Sequence, residues 1–115
     1  MTNVVSMSPI AGWLGLGACL LLAPVAEAAE RSSAAHRGEL LVTRDCARCH
    51  AVGRTGPSHH PEAPPFRTLG AKYPIESLEE ALAEGLVSGH PDMPEFRFSA
   101  EDVASIISYL KSIQR

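Results

Sequence analysis

The sequence predicts an all-α fold. Three observations carry this expectation. Apolar residues recur at helical spacing in three segments, alternating strand patterns are absent, and residues 51–65 hold so many breakers that only a loop can cross them. No internal repeat is visible, and 115 residues suffice for one small domain.

The first helix follows a short polar lead at residues 30–33. Ala34, Gly38, Leu41 and Val42 fall at i, i+4, i+7 and i+8, the stripe of a helix that runs into Cys46. Gly53, Gly56, Pro57, Pro61, Pro64 and Pro65 then enforce a loop that must wrap something. Phe66 and Leu69 anchor one short turn, which Tyr73-Pro74 stops. Ser77-Leu78-Glu79-Glu80 has the form of a capping box, followed by Leu78, Ala81, Leu82 and Leu86 as the apolar face of a second helix ending near Ser88-Gly89. Ser99-Ala100-Glu101-Asp102 opens the last helix, in which Val103, Ile106, Ile107, Leu110 and Ile113 give the cleanest amphipathic pattern of the chain.

The run Cys46-Ala47-Arg48-Cys49-His50 has the Cys-x-x-Cys-His form of a c-type haem attachment site. Positions three and four apart share one face of a helix, so both thiols and the imidazole address one flat macrocycle. The thiols form thioethers with haem vinyl groups, and neutral His50 supplies one axial nitrogen to the iron. Three other readings of the same residues exist. A thioredoxin-like redox pair belongs beside a βαβ pattern, which is missing here; a zinc site with His59 or His60 lacks a second cysteine knuckle; a plain disulfide is the third.

The compartment follows from the N-terminus. An uncharged stretch from Ile10 to Ala26 leads into Ala26-Glu27-Ala28, a small-x-small cleavage pattern, so residues 1–28 read as a signal peptide and 29–115 as the mature domain. Gly12, Gly15, Gly17 and Pro24 interrupt the stretch and argue against an uncleaved anchor. Leu16-Gly17-Ala18-Cys19 has the look of a lipidation box, but apolar residues continue beyond Cys19 where a polar tether is expected. Export places the protein in the periplasm.

A mature chain of 87 residues is marginal for burying a core unaided, and a covalent haem supplies the missing apolar surface. The whole chain carries a formal charge of −3, which becomes −2 when Glu27 leaves with the signal. Such a weak field and the lack of a basic patch exclude nucleic acid as a partner. No small-molecule pocket is legible.

Between the second and third helices lies Gly89-His90-Pro91-Asp92-Met93-Pro94-Glu95-Phe96. The flanking prolines hold Met93 in place, which favours a weak thioether bond to iron because little entropy is lost on closure. Alone, such a methionine reads as a gap-filling core residue; the haem motif upstream reverses that preference. His36, His59, His60 and His90 read as solvated, as do Glu76, Glu79, Glu80 and Glu84 on the second helix.

With these motifs in hand, residues 34–114 resemble the small class I c-type cytochromes. That resemblance implies a cytochrome c-like bundle of three main helices with loops wrapped around one covalent haem. It also implies a close crossing of the first and last helices at Gly38, with Tyr109 packed there. Members of the family set a proline carbonyl on the outer nitrogen of the proximal histidine, and Pro64-Pro65-Phe66 is similar to that segment; Pro57 and Pro61 compete for the role. Two departures stand out. The single tryptophan, Trp13, lies in the signal, so Arg54, Arg67, Tyr73 and Arg97 become the candidates for a haem propionate; and Lys72 and Lys111 are the only lysines, so there is no lysine-rich docking rim.

The expected function is that of a periplasmic monohaem electron carrier and not an enzyme. Haem c is its one cofactor, with Cys46, Cys49, His50, Met93, Pro64 and Phe66 around it and His50 and Met93 on the iron. Its partners are redox proteins, namely a donor dehydrogenase or membrane complex and a terminal acceptor. Membrane contact is expected only through a partner or a retained N-terminus. The competing reading is a haem-bearing electron-transfer subunit of a periplasmic dehydrogenase complex; a gas sensor or peroxidase is a third, and it requires Met93 to be labile or absent.

Overall fold

The computed structural model describes residues 23–85 and 90–115. The signal region through residue 22, with Trp13 and Cys19, lies outside the described residues, as do Leu86 and Ser88-Gly89. Three α-helices, α1 (Ala23–Asp45), α2 (Leu78–Glu84) and α3 (Ala100–Ile113), are joined by loops and by 3-10 turns at Phe66–Ala71 and Ile75–Ser77. Among the described residues there is no strand, and no helix is long and apolar enough to cross a membrane.

Helix α1 begins well before the expected start at Ala34. Residues 26–30, Ala-Glu-Ala-Ala-Glu, are strong helix formers, and Glu27 pairs with Arg31 one turn on at 2.6 Å. Residues 25–33 are nevertheless exposed, and burial begins with the predicted stripe: Gly38, Leu41 and Val42 face the core. There α1 meets α3. A Cβ built on Gly38 would lie 2.6 Å from the Ser105 carbonyl carbon and 2.8 Å from Tyr109 Cβ, and closer still to the Ser105 carbonyl oxygen. Only a glycine fits a backbone contact of this kind.

Helix α3 is the most buried element. Val103, Ile106, Ile107, Tyr109, Leu110 and Ile113 join Leu41 and Val42 of α1 with Leu69 and Ile75 of the 3-10 turns in one core. Its start agrees with the sequence: Ser99 is extended, and its side chain accepts from Asp102 N at 3.2 Å. Outside the core, Arg37 of α1 reaches Glu101 at 2.8 Å and Asp102 at 2.7 Å.

Helix α2 departs from expectation at both ends. Ser77 makes no side-chain cap, because its amide closes a 3-10 turn on Pro74 O at 3.0 Å and its backbone (φ −63, ψ −11) is already helical rather than extended. The helix then stops at Glu84, short of Ser88-Gly89. Gly85 has φ +112 and bonds back to Ala81 O at 3.0 Å, a conformation that ends a helix and suits glycine. A Cβ there would come within 3.0 Å of the Glu95 carboxyl carbon, so the chain leaving α2 passes close against the segment returning to α3. Phe98 N bonds to Leu82 O at 3.0 Å and pins that return.

Two predictions follow from this packing. Gly38→Ala destabilises the holoprotein by about 1–3 kcal/mol in denaturant unfolding, because the methyl group meets backbone; a wild-type midpoint would place the crossing elsewhere. Acid also destabilises. Hydrogen bonding from Arg37 holds the Asp102 carboxyl below its usual range, and Lys111 does the same for Glu76. A carboxylate depressed in the folded state stabilises above its ordinary pKa, and that contribution fades as pH falls through and below about 4. The unfolding midpoint accordingly drops in this range, and less steeply in Arg37→Ala.

Candidate functional site: the Cys-x-x-Cys-His turn and its loops

The motif sits where α1 ends. Cys46 N and Ala47 N both bond to Val42 O, at 2.9 and 3.1 Å, and the chain then closes a further turn with Cys49 N and His50 N on Cys46 O, at 3.1 and 3.0 Å. The motif therefore lies in a turn just past α1 and not within it. The i+3 and i+4 bonds still hold Cys46, Cys49 and His50 at one-turn spacing. All three side chains are half-buried, and both thiols are unbonded to one another.

Burial, with a smaller contribution from the Asp45 charge, pushes the Cys46 thiol up to about 11. It stays protonated at neutral pH. Redox-active and zinc-binding cysteines need the thiolate, and their surroundings lower the pKa. Among the described residues no three His, Cys, Asp or Glu side chains are grouped as a metal site, so the zinc alternative finds no ligand set there.

The breaker-rich loop wraps the motif through its backbone. His60 N bonds to Cys49 O at 3.0 Å, Phe66 N to Ala51 O at 3.0 Å, and Ala51 N to Ser58 Oγ at 2.9 Å. These bonds bring Pro64 to His50, whose Nδ1 donates to Pro64 O at 2.8 Å. A carbonyl can only accept, so the proton resides on Nδ1 and the lone pair on Nε2, the nitrogen a metal would use. Of the three prolines that compete in the sequence, Pro64 is the one that receives His50. Phe66 lies beside the same imidazole, with ring centroids 4.8 Å apart and tilted by 37°.

Gln114 is a residue the sequence did not single out. Its Oε1 accepts from Gly70 N at 2.8 Å, and its Nε2 donates to Phe66 O at 3.0 Å and to Leu110 O at 2.6 Å. It thus ties the 3-10 turn carrying Phe66 to the end of α3. From the other side, Tyr109 donates to Val52 O at 2.9 Å, fixing the chain just after the motif. A glutamine beyond the last apolar position of a helix carries no pattern that would mark it in advance.

Met93 is half-buried on the segment between α2 and α3, and its amide bonds to His90 O at 3.2 Å. Its neighbours Asp92 and Pro94 line a cleft of about 420 Å³ together with Arg48, Cys49, His60 and Pro61. The segment carrying Met93 therefore faces the second motif cysteine across one cleft. Two exposed contacts span it, His60 to Asp92 at 3.7 Å and His90 to Glu62 at 3.6 Å. Histidines expected to be solvated thus contact carboxylates at the rim; His60 and His90 also approach edge to face at 6.4 Å.

Of the four expected propionate partners, two are engaged elsewhere. Arg54 Nη2 donates to Ser112 O at 2.7 Å, and Arg97 pairs with Glu95 at 3.2 Å. Tyr73 is exposed. Arg67 differs: its Nη1 is buried and has no hydrogen-bond partner. Leaving a buried donor unsatisfied costs roughly 1–3 kcal/mol, and more for a charged group. A half-buried thiol pair, a histidine of fixed tautomer and an aromatic wall beside it together fit a haem.

The family model for cytochrome C oxidase, cbb3-type, subunit III matches residues 33–110. The chain belongs to this family. It is a small c-type cytochrome, its all-α fold is cytochrome c-like, and its work is haem-based electron transfer with redox proteins as partners. The matched span covers the Gly38 crossing, the motif turn, the wrapping loop, the Met93 segment and α3 through Leu110. Comparisons with curated proteins and with solved structures return no match.

Gln114→Ala removes the link between the cytochrome's proximal turn and α3. With three bonds of about 0.5–1.5 kcal/mol each, partly replaced by water, the holoprotein loses about 1–2 kcal/mol in denaturant unfolding. An unchanged midpoint would show that the turn is held by its own bonds.

Proposed function

We propose that residues 29–115 form a periplasmic electron carrier holding one haem c, bound covalently through Cys46 and Cys49 with His50 and Met93 as axial ligands. The observation that carries this reading is the 2.8 Å bond from His50 Nδ1 to Pro64 O. It orients the imidazole, fixes its tautomer and raises the basicity of Nε2 toward iron. The haem, once attached, supplies a ferrous/ferric couple.

The chain's own residues do the rest. Cys46 and Cys49 provide the attachment thiols, while Pro64 and Phe66 hold and shield His50. Beyond Met93 the segment is held by Glu95 close against Gly85 and by Phe98 N on Leu82 O, and Met93 N itself bonds to His90 O, so its sulfur has little freedom to lose on reaching iron. With both axial positions filled there is no open coordination site, so the protein carries electrons and does not catalyse. Removal of residues 1–28 takes the first six residues of α1 and leaves the Gly38 crossing intact.

A second reading has one observation in its favour. The matched family is described as an oxidase subunit, which supports a haem-bearing subunit of a larger redox complex, a dehydrogenase or an oxidase, over a free carrier. A permanent subunit co-purifies with a catalytic chain from native periplasm or membranes; a free carrier does not.

Met93→Ala tests the distal assignment. The haem stays, because its attachment is independent of Met93, while the sulfur-to-iron charge-transfer absorption of the ferric protein disappears. The reduced protein then binds carbon monoxide and the potential falls, since water or imidazole stabilises ferric iron better than a thioether does. A wild-type ferric spectrum and potential in this variant would remove Met93 from the iron.

A further inference from the structure

We infer that the two motif thiols are not equivalent in maturation: Cys49 takes the haem first, and Cys46 closes the second thioether only once that tether exists. The inference rests on the haem site proposed above and adds to it an order of bond formation. Both thiols are free and half-buried, but they face different surroundings. Cys46 packs against the core that α1 shares with α3, and its amide bonds to Val42 O at 2.9 Å, so the end of the helix holds it there. Cys49 lines the open cleft of about 420 Å³, together with Arg48, His60 and Asp92.

A group entering the cleft from solvent therefore meets one thiol and not the other. The reaction at each cysteine is an addition. The S–H bond and the π bond of a haem vinyl group break, sulfur bonds to the vinyl carbon next to the ring, and the hydrogen goes to the terminal carbon. Atoms and electrons balance without an oxidant, a reductant or a leaving group. Such a step needs the reacting atoms near contact and aligned, and the cleft allows this at Cys49 on first encounter. At Cys46 the same approach has to displace core packing, with no tether to offset the cost.

Attachment at Cys49 changes that balance. The second vinyl group is then confined to the cleft, the addition at Cys46 becomes intramolecular, and its effective concentration rises. The turn keeps the two sulfurs in register meanwhile. Cys49 N and His50 N both bond to Cys46 O, at 3.1 and 3.0 Å, so the thiols stay one turn apart, and His50 Nδ1 is already engaged by Pro64 O.

The order is read from wild-type protein sampled soon after synthesis in cells competent for haem attachment, alkylated under denaturing conditions with N-ethylmaleimide and digested with trypsin. Peptides 45–48 and 49–54 report the two cysteines separately. Chains caught with one thioether are expected to carry haem on 49–54 and alkylated Cys46, in roughly tenfold excess over the reverse, the ratio that a barrier difference of about 1.4 kcal/mol produces. Equal amounts, or an excess of haem on 45–48, overturn the order. Where the second bond forms too fast for such chains to accumulate, single-cysteine variants decide: Cys46→Ala retains covalent haem and Cys49→Ala loses most of it. Covalent haem in Cys49→Ala equal to or above that in Cys46→Ala, including none in either, overturns the order. Wild-type protein without covalent haem overturns the haem site itself, whereas a fully attached wild type with the wrong order overturns only this inference.

Discussion

Everything in this cytochrome hangs from the contact between Gly38 and the backbone of α3. At that crossing the two helices approach without an intervening side chain, and the Arg37 pairs to Glu101 and Asp102 secure one edge of it. Because α1 runs only two turns past Gly38 before the Cys-x-x-Cys-His turn begins, the crossing fixes where the motif stands relative to the core. Tyr109 reinforces the link by packing at Gly38 through its Cβ and holding Val52 with its hydroxyl. A single rigid join thus serves both the fold and the cofactor site.

The remainder of the site is built from loop backbone. A loop with four prolines among residues 57–65, followed by the 66–71 turn, cannot hold its shape through regular secondary structure, so it borrows bonds from the motif and from α3. His60 and Phe66 donate to Cys49 and Ala51, His50 donates to Pro64, and Gln114 closes the far side. The result is a histidine whose tautomer and orientation are settled before any metal is considered. Such preorganisation suits a carrier, since a ligand set that does not move between oxidation states keeps electron transfer from waiting on protein rearrangement.

Much of this was legible in the sequence because it depended on periodicity or on a fixed motif. The stripe of α3 and its Ser99 cap, the glycine at the helix crossing and the loop nature of residues 51–65 all follow from residue types with strong local preferences. The elements that deviated were decided by competition. Ala and Glu residues extended α1 backward with no burial to mark them, Pro74 drew Ser77 into a 3-10 turn instead of a cap, and Gly85 ended α2 before the better-looking Ser88-Gly89 signal. Among the loop prolines, spacing could not choose the partner of His50; the backbone path did, by pairing Ala51 with Phe66. Gln114 and the special position of Arg67 come from long-range geometry that no local pattern encodes.

The account's central claim is that Cys46, Cys49 and His50 form one covalent haem site on an electron-transfer domain. Tryptic digestion of protein made in cells competent for haem attachment tests it most directly, because cleavage after Arg44, Arg48 and Arg54 separates the two cysteines into peptides 45–48 and 49–54. The account predicts that these peptides remain joined through a single haem that survives acid extraction and that neither thiol accepts an alkylating reagent. Two separate peptides with alkylatable cysteines, or a haem released by acid, would contradict it.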